Sequence, residues 1–116
     1  MAEAIARARF VRMAPRKIRL VADMIRGKKV EEARDTLAFT VKGAAPLLAK
    51  LLDSAVANAE SKAAEKRQRV DTDAMVVTKV LVDGGPSMKR LYFMPRGRAG
   101  RVRKRMSHIE LVISDS

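Results

Sequence analysis

Residues 3–12 set Ala4, Ala6, Ala8 and Phe10 on alternate positions, with Arg7 and Arg9 between them. A period of two predicts a first strand with one apolar and one basic face. After Pro15 the period lengthens: Ile18, Val21, Ala22 and Ile25 recur at helical spacing. Pro15 suits a first helical turn, and Gly27 stands where the residue just past a helix end belongs. A short second helix is predicted over about 30–38, with Val30, Ala33 and Leu37 on one stripe. Its acids Glu31, Glu32 and Asp35 come early, where the helix dipole favours them, and beside Lys28, Lys29 and Arg34 they read as partners in helix ion pairs. Thr40 is the expected N-cap of a third, longest helix over about 40–66, and Pro46 allows its start to fall a few residues later. Ala45, Leu48, Leu52, Ala55, Val56 and Ala59 form its stripe, widened by Leu47 and Leu51, so this helix forms the core.

From Met75 the period returns to two. Val76, Thr78, Val80 and Val82 are expected on one face, and Met75, Val77, Lys79 and Leu81 on the other. The last segment, 108–113, alternates again through Ile109, Leu111 and Ile113. Between them, 84–107 holds Gly84, Gly85, Pro86, Pro95, Gly97 and Gly100 and no helical stripe. Two readings compete: a long disordered loop, or both strands continuing into a long hairpin with its tip near 95–100. As an extended ribbon, positions 74–113 would reach on the order of 55–60 Å. A compact chain of this size has a radius of gyration of only about 13 Å, so such a hairpin must protrude. The expected fold is therefore α+β: three helices packed on a small antiparallel three-stranded sheet, with a long protruding β-hairpin. One domain is expected over 1–116, its body at 1–83 and 106–116 and the hairpin at about 84–105.

Composition narrows what such a fold is for. The chain has 116 residues and 47% hydrophobic content, enough for a packed core. Its 25 Lys and Arg against 13 Asp and Glu leave a formal charge of +12, which calls for a polyanionic partner. That charge is partitioned. Residues 7–29 carry nine cations against Asp23, residues 84–109 carry eight cations and no acid, and the stretch between is almost neutral. A purely solubilising surface would mix the signs. No apolar run approaches a membrane span, and residues 1–10 lack the apolar core of a secretory signal. No membrane partner is expected.

Enzyme chemistry lacks its parts. There is no Cys and a single His, His108, so the usual Zn sets, Fe–S clusters and disulfides are excluded. No cofactor is implied. His108 reads as a strand histidine making a local hydrogen bond through a ring nitrogen rather than as a general base. Gly84-Gly85-Pro86 and Gly97-Arg98-Ala99-Gly100 lack the strand–loop–helix frame of a phosphate-cradling loop. What remains is phosphate contact through Arg16-Lys17-x-Arg19, at the start of the first helix, and Arg101-x-Arg103-Lys104-Arg105 in the ribbon. Tyr92 and Phe93 lie within the second block, either to stack on unpaired bases or to stiffen the hairpin. Aromatics are only 3%, which argues against a base-stacking platform. A basic ribbon without a recognition helix leans toward irregular folded RNA. A transient nucleoid or RNA-chaperone protein is the alternative, and an enzyme built on His108 a weaker one.

Four ordered runs resemble one family. They are Pro15-Arg16-Lys17-Ile18-Arg19-Leu20-Val21-Ala22-Asp23-Met24-Ile25-Arg26-Gly27-Lys28, then Ser54-Ala55-Val56-Ala57-Asn58-Ala59-Glu60, then Val82-Asp83-x-Gly85-Pro86-x-Met88-Lys89-Arg90, and finally Arg105-x-Ser107-His108-Ile109. The chain resembles the bacterial large-subunit ribosomal protein twenty-two family over nearly its whole length. The resemblance implies a non-enzymatic structural constituent of the cytoplasmic large ribosomal subunit. Its implied partners are 23S rRNA, neighbouring large-subunit proteins and the nascent polypeptide in the exit tunnel, with a role in early assembly and no homo-oligomer. The implied rRNA-binding residues are Arg7, Arg9, Arg12, Arg16, Lys17, Arg19, Lys28, Lys29, Lys89, Arg90, Arg96, Arg98, Arg101, Arg103, Lys104 and Arg105. The tunnel-facing tip that the resemblance implies comprises Tyr92, Phe93, Met94, Pro95, Arg96, Gly97 and Arg98. Here the tip run Pro95-Arg96-Gly97-Arg98-Ala99-Gly100 is compressed against the family pattern, with Leu91-Tyr92-Phe93-Met94 filling the length before it. Residues 61–73 also lack the family's Asn/His-rich run.

Overall fold

The computed structural model describes residues 3–94 and 98–115, with side chains outside 87–104. In chain order it contains β1 (Glu3–Val11), α1 (Pro15–Ile25), α2 (Val30–Phe39), α3 (Ala44–Glu65), a 3-10 turn (Thr72–Ala74), β2 (Val76–Met94) and β3 (Arg98–Ser114). The strands form one antiparallel sheet in the order β1-β3-β2. The three helices pack on one face of it, giving the expected α+β architecture. The core is a single cluster joining Ala4 and Ala6 of β1, Val77, Val80 and Val82 of β2, Ile109, Leu111 and Ile113 of β3, and the helical stripes.

Pro15 occupies the first turn of α1, where its missing N–H is no loss. Gly27, at φ +83, follows the helix end in the left-handed conformation that favours glycine. Two boundaries differ from the pattern-based reading. Thr40 does not cap the long helix: its hydroxyl donates to the Thr36 carbonyl and closes α2, and α3 starts at Ala44. The far end of α3 closes without glycine. Arg67 takes φ +52, the Gln68 N–H donates to the Ala63 carbonyl at 2.8 Å, and the Arg67 N–H donates to Ala64 at 3.2 Å. This is the paired C-terminal bonding that usually recruits Gly.

Two bulges reset the side-chain period. In β1, Ala8 pairs with Ile109 and Val11 with Ser107, so one residue is inserted. Phe10 (φ +56) consequently leaves the apolar face expected for it and is 60% exposed. In β2, Val77 pairs with Ile113 and Lys79 with Val112, which makes Thr78 the extra residue. Met75 and Val77 are buried before it, Val80 and Val82 after it. The predicted grouping of Val76, Thr78, Val80 and Val82 therefore fails at Thr78, because one inserted residue exchanges the two faces.

β1 ends opposite Ser107. Beyond that level β2 and β3 continue to pair through Gly84↔Ser107, Ser87↔Arg105 and on to Met94↔Arg98. The stretch 84–94 is about 33 Å long at ~3.3 Å per residue. The molecule measures 66 × 27 × 16 Å with a radius of gyration of 17.5 Å, well above the ~13 Å of a compact chain. Of the two readings of 84–107, paired strands replace the disordered loop over 84–94 and 98–107.

Candidate nucleic-acid interface

Each sheet edge leaves backbone carbonyls that need donors. Along β2, α1 and the α1–α2 link provide them. The Gly27 N–H donates to the Val77 carbonyl and the Val30 N–H to that of Met75, both at 2.8 Å, while the Val77 N–H donates to Lys28 at 2.9 Å. Higher on the strand, Arg26 donates to the Val80 carbonyl at 2.7 Å, and Arg19 reaches that of Val82 through Nε (3.1 Å) and Nη2 (2.8 Å). Arg26 also pairs with Asp23. Along β1, Asn58 Nδ2 donates to the Ile5 carbonyl at 2.9 Å and Lys62 Nζ to Glu3 at 3.3 Å. Arg19, an expected RNA contact, thus also covers a strand edge while remaining exposed.

This docking fixes the course of α1. Its start lies at the ribbon root, where Pro15 Cγ is 4.0 Å from the position a Gly84 Cβ would take. Its end lies beside Val77. The first basic block is therefore divided. Arg12, Arg16 and Lys17 are exposed at the root, level with exposed Arg105. Lys28 and Lys29 lie beside Val76 at the other end of the body, roughly 26 Å away along β2. Lys28 Nζ also contacts Thr36 Oγ1 at 3.3 Å. No acid occupies the first turn of α1, and Ala14 has no side chain to cap it. Arg16 and Lys17 stand there against the positive end of the helix dipole.

The sheet face away from the helices carries a shallow groove of about 380 Å³ lined by Arg7, Arg9, Phe10, Asp83, His108, Ile109 and Glu110. Arg7 forms an ion pair with Glu110 at 3.1 Å. His108 Nδ1 accepts the Phe10 N–H at 3.1 Å, a ring-nitrogen hydrogen bond as expected, but across to β1 instead of local in the chain. Arg34 pairs with Asp53 of α3 (3.4 Å) and Asp73 of the 3-10 turn (3.6 Å), so its described ion pairs link elements instead of running along α2.

On the ribbon, Lys89 pairs opposite Arg103, Met88 opposite Lys104, Arg90 opposite Val102 and Leu91 opposite Arg101. Setting cationic residues opposite one another costs stability in an isolated ladder. Tyr92, Phe93 and Met94 end β2, and Arg98 opens β3. The remaining tip residues of the sequence reading, Pro95, Arg96 and Gly97, lie outside the described residues.

Over residues 6–114 the sequence matches the family described as ribosomal protein L22p/L17e. The chain belongs to this family. Membership makes it a structural constituent of the large ribosomal subunit, from a family that is structural and not enzymatic.

In this ribosomal protein the four sequence runs become four structural places. The first is α1 with its glycine exit; the second is the middle of α3, where Asn58 reaches β1; the third and fourth face each other where the ribbon leaves the body. Sequence reasoning missed Arg26, Asn58 and Lys62, because nothing local marks a side chain that caps a distant strand. Arg19 on α1 and Arg26 at its C-cap stand seven residues apart, and both reach the β2 edge.

Proposed function

We propose that this chain binds 23S rRNA, with its body at the surface of the cytoplasmic large subunit and residues 84–105 reaching between rRNA segments. Arg9, Arg12, Arg16, Lys17 and Arg105 form a basic collar at the arm's root, and Lys89, Arg90, Arg96, Arg98, Arg101, Arg103 and Lys104 neutralise phosphates along it. Arg7, Lys28 and Lys29 make separate contacts with the same partner. Residues 92–98 line the nascent-polypeptide exit tunnel, and ordering of rRNA around the arm assists early assembly. Neighbouring large-subunit proteins contact the body.

The observation that supports this reading most is a two-stranded ladder, extending about 33 Å past the last level of β1, in a stretch without an acidic residue. A ribbon of two strands is marginal in water, and like charges along it weaken it further. Crowded phosphates remove both penalties. The cations on the first turn of α1 point the same way, since the helix dipole disfavours them until an anion arrives.

Crosslinking mapped separately for residues 7–29 and 84–109 in purified ribosomes tests the assignment. Both segments should crosslink to 23S rRNA, and the protein should stay on the subunit at one copy through a high-salt wash. Release by salt, or crosslinks spread over chromosomal DNA, would replace this reading with the transient nucleoid or chaperone one.

A further inference from the structure

We propose that Ser107 and His108 form a positioning site that fixes the direction in which the ribbon leaves the body. Both residues lie at the last level where the sheet has three strands. At that level β3 is flanked by an inserted residue on each side, one between Ala8 and Val11 of β1 and one between Gly84 and Ser87 of β2. Two bulges facing one another across a single strand would leave a plain sheet free to bend and twist.

His108 occupies the space between them. On the β1 side its Nδ1 accepts the Phe10 N–H at 3.1 Å, and the Phe10 ring meets the imidazole edge-on, centroids 4.9 Å apart at 89°. Phe10 is a bulky residue at φ +56, a strained conformation that persists only when its surroundings hold it. On the β2 side, a Cβ at Gly85 would lie 3.1 Å from His108 Nε2 and 3.4 Å from the Met106 backbone carbon. The backbone of Gly85 does not require glycine by its φ; a side chain there would instead press on the ring, which would have to give by a few tenths of an ångström. Ser107 is fully buried, and its hydroxyl donates to the Met13 carbonyl at 2.6 Å, tying β3 to the β1–α1 connection. The imidazole thus joins both bulges, and the serine joins the root to the body.

Direction matters because the arm is a lever. A 10° rotation at the root would move the end of a 33 Å ribbon by about 6 Å, more than a strand spacing. This inference rests on the reading that the arm must enter rRNA, and its test separates the two.

The chain contains no cysteine, so a spin-label pair can be placed cleanly with Lys50→Cys on α3 and Val102→Cys on the arm. Electron–electron distance distributions are then measured on the full chain alongside its thermal melt and its binding to 23S rRNA. His108→Leu, which removes the acceptor, should widen the distribution and weaken rRNA binding roughly fivefold, the worth of one neutral hydrogen bond. His108→Asn offers Oδ1 where Nδ1 stood and should restore the narrow distribution. A lower melting temperature for His108→Leu with an unchanged distribution would overturn the proposal. Should that variant fail to fold, Gly85→Ala serves instead. Its added methyl presses on the imidazole and should shift the mean distance; an unshifted mean overturns the proposal equally. Wild-type protein that fails to bind 23S rRNA while the distance pattern holds would sink the functional reading and leave the positioning site standing.

Discussion

The first turn of α1 sets stability against function, and Lys17→Glu exposes the conflict. Lys17 lies three residues after Ala14, exposed, on a helix start with no acid and no side-chain cap. A cation there is disfavoured, and an anion favoured, by about 0.3–1 kcal/mol each at low ionic strength. Exchanging one for the other should stabilise the free protein by about 1 kcal/mol. With an unfolding entropy near 2.1 cal/mol/K per residue, a chain of this length changes by roughly 0.24 kcal/mol per degree, so the melting temperature should rise about 4 °C. Binding should move the other way. Losing one phosphate contact lowers the slope of log K against log salt by about 1 and weakens affinity for every rRNA segment contacted there. Calorimetric melts in low salt and filter binding across a salt series read both quantities, and Lys17→Gln should give about half the stabilisation. A melting temperature that falls, or one that rises with an unchanged salt slope, would refute the argument that this turn is built for an anion.

Other substitutions test the remaining contacts. Arg67→Gly removes a side chain from a left-handed position at the end of α3, so it should stabilise the protein by about 1 kcal/mol, read from the urea midpoint at constant m. Arg19→Met keeps the aliphatic stem but strips both donors from the Val82 carbonyl, and should cost about 1–2 kcal/mol in urea unfolding. Ile18→Ala, at a fully buried position between α1 and the sheet, should cost about 2–5 kcal/mol and lower the thermal midpoint by more than any surface change.

Local chemistry made much of the fold legible. Pro15 and Gly27 bracket α1 because one residue fits a first turn and the other tolerates positive φ, and those properties belong to the residues themselves. The stripe from Ala45 to Ala59 predicted a buried α3 for the same reason. The end of the long helix was harder to read, since Arg67 does there what a glycine usually does. Thr40 misled because a hydroxyl that can cap the start of one helix can equally back-bond to the carbonyl four residues before it.

Three helices, strands of period two, and a charge divided between a segment near the start and an acid-free ribbon can be read from the chain alone. All of these follow from spacing and side-chain type. Which cations act together depends on how the elements pack. The fold brings distant positions side by side. It gathered Arg12, Arg16 and Lys17 with Arg105 at the root, sent Lys28 and Lys29 to the far end, and turned Arg19 toward Val82. It also placed the bulges at Phe10 and Thr78 that exchange strand faces. A bulge is set by the partner strand's register, and an edge carbonyl by which helix lies beside it. Both are relations between residues dozens of positions apart, and periodicity within one segment carries no record of them.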